Sequence, residues 1–272
     1  MKDEVLSQLH DLAKAFNKID IKPVICGGLG IYLKFYSSKN EIELRATNDI
    51  DLMLTETQVK SQADRNAVLK TIKDDLHYVL RAQGQCFMFE KSPYDKLDIL
   101  APPIQGLTRE NDNRVKLVKS KLHGRLTPEA QFIEEDLETV PLHNILSVNC
   151  NNNCEIQVPS AVNLLILKLF AFDDRYAKKD TERAQTHAYD IFVIAELSNR
   201  ADYLQAKEFI LRHAESDIIR RAKSVVLDKF DGIQSSGWLS VPRMSLAANL
   251  DVSQRNQKIE HAAKRLLRWF ED

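Results

Sequence analysis

Asp49 and Asp51 stand one residue apart in RATNDIDLML (45–54), inside a run otherwise suited to a buried strand. Side chains alternate across a strand. Asp49, Asp51 and Met53 therefore share one face, and Ile50, Leu52 and Leu54 the other. Two neighbouring anions repel, and burial worsens the conflict unless something positive lies between them. A divalent cation resolves it. Magnesium takes oxygen ligands and keeps waters and substrate phosphates in its shell. Two metals held by shared carboxylates stabilise both the attacking and the leaving oxygen of a displacement at phosphorus. Asp98, in the short apolar run KLDIL (96–100), is the candidate third ligand if its strand lies beside 48–54. It is also a candidate base for the attacking hydroxyl. Asp95, close to Pro93, reads as a turn residue.

Phosphates need a cradle, and Gly27-Gly28 offers one between the apolar run Val24–Cys26 and a helical stretch. Glycines there let the backbone approach an anion closely, and a helix N-terminus adds partial positive charge. A lone Gly-Gly is weak; followed by Arg45, Thr47, Asp49 and Asp51 it is much stronger. Arg45 and Thr47 are candidate phosphate contacts, with simple solvent exposure as the alternative. Further along, Lys168 is the only charge in AVNLLILKLFAF, and Asp190 is equally isolated in AYDIFVIA. A buried lysine needs a partner. The two form either a structural ion pair or a phosphate-binding lysine oriented by a carboxylate. Arg175, seven residues beyond Lys168, falls on the same helix face and is a candidate contact to a phosphate or to the acceptor. The segment RVKLVKSKLHGR (114–125) carries five cations and no acid. It suits an RNA backbone track, or else a strand edge guarded by lysines. It has no aromatic residue to stack on bases.

The elements that must position these groups divide the chain in two. A helical stripe over 4–19 leads to a strand at 24–26, a helix at 29–35 and a loop from 37. The aspartate strand (48–54), a helix at 57–76 and strands at 78–82, 86–90 and 96–100 follow, with short strands and loops over 104–158. From Ser160, a candidate N-cap, periodicity predicts helices at 161–178, 186–198, 204–229 and 254–270. The expectation is an α+β protein: a small mixed-sheet domain over 1–158 with the metal site, then a helical bundle over 159–272 that brings Lys168 and Asp190 to a cleft.

The 272 residues, with 44% hydrophobic and 28% charged content, suit a soluble globular chain. There is no apolar run near the roughly 20 residues a membrane span needs. The charged, amphipathic N-terminus lacks a signal peptide's apolar core, so the cytoplasm is the expected compartment. A net charge of −1 gives no global sign of nucleic-acid binding. Cys26, Cys86, Cys150 and Cys154 read as reduced thiols, the last two flanking three asparagines in a hairpin-like turn. Trp238 and Trp269 are expected to pack helices.

GGLGIYLKF, RATNDIDLML and KLDIL together resemble the nucleotidyltransferase superfamily that includes DNA polymerase β. The resemblance implies metal-dependent transfer of a nucleoside monophosphate from a triphosphate, with Mg²⁺ or Mn²⁺ held by Asp49, Asp51 and Asp98. QVPSAVNLLILKLFAFDDRYAKKD, with Asp190 ten residues on, resembles the AbiEii/MenT group, toxins of type IV toxin–antitoxin systems. That likeness implies that Lys168 helps hold the triphosphate, that Asp190 supports the site, and that the acceptor is RNA, tRNA included, or protein. It also implies a cognate antitoxin as partner. Lys179 and Asp180 match the group's Lys-Asp pair, but the residues ERAQTHAY between Asp180 and Asp190 depart from its tighter motif, so the resemblance assigns the site to Lys168 and Asp190 more firmly than to Lys179 and Asp180. Two other readings remain: a small-molecule adenylyltransferase of the aminoglycoside-modifying kind, requiring an acidic acceptor pocket, and a nucleotide-binding regulator without turnover.

Overall fold

The computed structural model describes residues 3–38, 42–45, 47–81, 86–145, 154–241 and 251–271. The expected asparagine hairpin and Cys150 lie outside them. Contacts divide the chain into two compact units: Met1–Leu33 with Ala46–Pro159, and Lys34–Arg45 with Ser160–Asp272.

The first unit is built on a mixed sheet. Helix α1 (Asp3–Asn17) buries Val5, Leu9, Leu12 and Phe16, the stripe expected from the sequence. Strand β1 (Val24–Ile25) feeds α2 (Gly27–Lys34), which opens on the glycine pair itself rather than at Leu29. β2 (Asp49–Met53) is the aspartate strand: Ile50 and Leu52 are fully buried, while Asp49 and Asp51 are half-buried on the other face. The single helix expected over 57–76 is instead a 3-10 turn (Thr57–Val59), α3 (Gln62–Lys70) and a π-turn (Thr71–Asp75). The physical reason is Ser61. Its hydroxyl accepts from Asp64 N–H while the Asp64 carboxylate accepts from Ser61 N–H, and this reciprocal cap restarts the helix.

β3 (Val79–Leu80), β4 (Met88–Ser92) and β5 (Asp95–Ala101) follow, then the hairpin β6 (Arg114–Val118) and β7 (Leu122–Leu126), and finally β8 (Glu138–Pro141) and β9 (Glu155–Val158). These nine strands make one sheet in the order β3-β4-β5-β2-β1-β9-β8, with β7 joined to β5 and β6 joined to β7. β2 runs parallel to β5 and antiparallel to β1.

The second unit is helical: α4 (Ala161–Ala177), α5 (Thr181–Leu197), α6 (Arg200–Arg212), α7 (Asp217–Lys229), α8 (Ser236–Ser240) and α9 (Val252–Phe270). Ser160 caps α4 as expected. The single helix expected at 204–229 is two, because Ser216 caps a fresh start by accepting from Ile219 N–H. α5 begins five residues before its expected start, capped by Asp180. Trp238 and Trp269 are buried, and the Trp238 indole donates to the Phe230 carbonyl at 2.9 Å. The segment from Lys34 to Arg45 joins these helices through three anchors. Lys34 Nζ lies 2.7 Å from Asp202 Oδ1 with both side chains buried, and the Tyr189 hydroxyl donates to the Glu43 carbonyl at 2.7 Å. The third is Arg45, described below. Among the described residues no helix is long and apolar enough to cross a membrane.

Candidate active site

The parallel pairing of β2 with β5 sets Asp51 directly opposite Asp98, with Asp49 opposite Lys96. Register partners in a sheet point to the same face, so Asp49, Asp51 and Asp98 share one face. Asp98 is pushed up to about 6, first by burial and then by the Asp51 charge, against the pull of Arg125. The Asp49 carboxylate accepts a hydrogen bond from the buried Thr47 hydroxyl. Thr47 therefore fixes a carboxylate here.

Gly27 meets the same group from the other side. Its φ is +65°, and a Cβ placed on it would lie 1.8 Å from Asp51 Oδ2. Only glycine leaves room for the carboxylate and adopts that backbone without strain. Cys26 N–H donates to the Asp51 carbonyl at 2.9 Å, tying the start of α2 to the aspartate strand.

A facing carboxylate pair with a third acid two residues away suits a hard divalent cation. Magnesium is held by one or two carboxylates together with water and phosphate oxygens. Among the described residues no three His, Cys, Asp or Glu side chains already converge as a complete ligand set. Asp51 and Asp98 are thus the residues placed to hold such an ion, with Asp49 beside them.

The second unit holds a different cluster. Lys168 is 6% exposed and Asp190 1%; Lys168 Nζ lies 2.7 Å from Asp190 Oδ2. Arg45 forms a fork on the same carboxylate, Nε at 2.7 Å from Oδ1 and Nη2 at 3.0 Å from Oδ2. Burial would raise the Asp190 carboxyl, but the Lys168 and Arg45 charges outweigh it and hold it below the usual carboxylate range. Two cations on one carboxylate leave a surplus positive charge in a buried place. Sequence reasoning paired Lys168 with Asp190 but set Arg45 apart as a phosphate contact, because Arg45 and Asp190 are 145 residues apart.

Sequence reasoning also passed over His187. It lies one turn before Asp190 on α5, and its Nδ1 is buried with no hydrogen-bond partner among the described residues. Burial, then the Lys168 charge, pushes its imidazole down to about 3, so it is neutral. The signal available was its i, i+3 spacing from Asp190.

Arg175 pairs with Asp180 at 3.4 Å, and Asp180 caps α5. Lys179 carries φ of +57° in the turn between α4 and α5. Asp180 and Asp190 lie ten residues apart along α5, about 15 Å at 1.5 Å per residue. ERAQTHAY is thus the first two turns of a helix, and Lys179 and Asp180 make a helix–helix turn.

A sequence model of the family described as nucleotidyl transferase AbiEii toxin, type IV TA system, matches residues 10–238. The chain belongs to this AbiEii family. No curated protein and no solved structure matches it. The AbiEii match takes in every candidate residue named above, from Gly27 to Asp190, and ends before α9. Membership of the AbiEii family carries with it nucleotidyl transfer and a place in a toxin–antitoxin pair.

Proposed function

We propose that this AbiEii chain moves a nucleoside monophosphate from a nucleoside triphosphate to a hydroxyl of an RNA acceptor, tRNA included, as the toxin of its pair. The observation that carries the reading is the β2–β5 register, which sets Asp51 against Asp98 beside a glycine that admits nothing larger. In the step, the acceptor hydroxyl loses its proton to Asp98 and its oxygen bonds to the α-phosphorus. The bond from that phosphorus to the bridging oxygen breaks, and pyrophosphate leaves. A carboxyl held near 6 is ionised at neutral pH and still basic enough to take that proton. Asp51 and Asp98, with Asp49 beside them, would hold the divalent cation, Mg²⁺ or Mn²⁺, which would supply Lewis-acid stabilisation of the phosphate charge. Within the second unit, the surplus positive charge of Arg45 and Lys168 on Asp190 has the sign that a polyphosphate needs. Gly27 and Gly28 give the backbone close access to it.

A small cationic acceptor calls for an acidic pocket on the carboxylate face. An acidic pocket of about 450 Å³ exists, lined by Glu4, Asp11 and Asp95 with Tyr78 and Lys91. By strand alternation Asp95 points to the face opposite Asp98. This favours the polynucleotide over the aminoglycoside-type acceptor. The presence of Asp98 beside Asp51 speaks against a regulator without turnover. The test incubates the protein with Mg²⁺, each α-labelled triphosphate in turn and total tRNA, beside an Asp51→Asn control. Label in RNA, absent from the control, is expected. Label on small cationic acceptors alone, or none at all, overturns the reading.

A further inference from the structure

The basic hairpin β6–β7 has two explanations at the level of sequence: guarding an edge, or tracking a nucleic-acid backbone. The sheet separates them. Among the strands β6 pairs only with β7, and its other side is covered only in part, by a bridge from Val115 to Thr108 and by Lys116 N–H donating to the Leu107 carbonyl at 3.0 Å, so its cations Arg114 and Lys116 fit edge protection. Both are also tied to Asp112, at 2.8 Å and 2.9 Å. Arg125 is different. It sits on β7, which is paired on both sides, with β5 and with β6, so there is no edge there to guard. It is exposed, and its charge acts on Asp98, whose carboxyl it pulls down.

The register also decides where Arg125 points. Arg125 lies opposite Leu100 on β5, and Leu100 is two residues beyond Asp98, so Arg125 shares the carboxylate face. Two residues along and one strand across is a separation of about 8 Å between the Asp98 and Arg125 backbones. Gly124 permits this pairing: a Cβ there would lie 2.5 Å from the Ala101 side chain and 3.2 Å from its backbone nitrogen. Arg114 is the register partner of Arg125 across the hairpin, and Lys116 follows two residues on, so all three cations share that face. With Asp112 neutralising one of them, the strip carries a net charge of about +2 running outward from Asp98.

We infer that Arg125, flanked by Arg114 and Lys116, holds the phosphodiester backbone of a polynucleotide acceptor so that its terminal hydroxyl reaches Asp98. This rests on the transfer reading above and names its acceptor-binding residues. The partner is a single-stranded end of an RNA, gripped by charge and not by base. No aromatic side chain stands in 114–125, so binding is indifferent to sequence.

The test measures binding of a fluorescently labelled single-stranded RNA without nucleotide or divalent cation, from 50 to 200 mM salt. Wild type, Arg125→Gln and Lys60→Gln are compared, the last removing an exposed charge outside the hairpin. Arg125→Gln is expected to reduce the slope of log affinity against log salt by about 0.7, one single-strand phosphate contact, equally for several sequences. Lys60→Gln leaves the slope as in wild type. In transfer assays Arg125→Gln raises KM for RNA and leaves KM for the triphosphate alone. An unchanged slope, an equal change in Lys60→Gln, or no RNA binding by wild type overturns the inference. Triphosphate binding, titrated separately, reports on the transfer reading, so failure of one is told apart from failure of the other.

Discussion

Asp98→Asn tests whether the carboxylate face is built for a cation, with no need of an activity assay. In the folded chain the Asp98 carboxyl is raised from 3.8 to about 6, chiefly by burial and then by Asp51. A shift of about 2 units at 1.36 kcal/mol each sets a ceiling of about 3 kcal/mol on the cost of ionising it. The side chain is half-buried, so solvent screening brings the expected effect to about 1 kcal/mol. The sign follows from the direction of the shift. Below the unfolded pKa both states are protonated and nothing is lost. The penalty grows as pH rises toward 6 and is complete above it. The asparagine variant carries no such penalty, so without divalent cations it should melt about 2–4 °C above wild type at pH 8 and level with it near pH 3.5. Adding Mg²⁺ at pH 8 should stabilise wild type and stabilise the variant far less. Thermal melts across pH, with and without Mg²⁺, read both effects. A variant that melts below wild type at pH 8, or a difference that ignores pH, would refute the crowded-carboxylate argument.

Gly27→Ala places a methyl group on the Asp51 carboxylate in a left-handed backbone position. It should cost about 1–3 kcal/mol in chemical denaturation and abolish transfer by displacing Asp51. Retained activity would separate Gly27 from the site. Asp190→Asn leaves Lys168 and Arg45 buried around a neutral group and should cost about 3–5 kcal/mol in urea unfolding. Lys168→Met should cost less, because Arg45 still pairs with Asp190, yet weaken triphosphate binding in calorimetry. Equal costs for the two variants would show that Lys168, not Arg45, stabilises the carboxylate.

Much of this protein was legible in the chain because the signals are local. Strand alternation in NDIDLM placed two carboxylates on one face, and isolated charges in apolar helices marked Lys168 and Asp190. Boundaries were less legible. Ser61, Asp180 and Ser216 cap helices where periodicity ran on or began late, since a side-chain cap on one or two N–H groups outweighs a continuing apolar stripe. The partner of Arg45 was not legible for a deeper reason. Its neighbours in sequence, Thr47 and Asp49, belong to the sheet unit, whereas Arg45 itself is held by a carboxylate on α5.

What the sequence determined alone is the chemistry available: which strand carries acids, which helix carries a lone lysine, and where only glycine stands. Only the tertiary structure decided which of these groups meet. Strand register is a long-range choice, and it alone set Asp98 opposite Asp51 and brought Arg125 onto the same face. A shift of one residue in either pairing would have turned those side chains to the opposite face, with the same sequence and different chemistry.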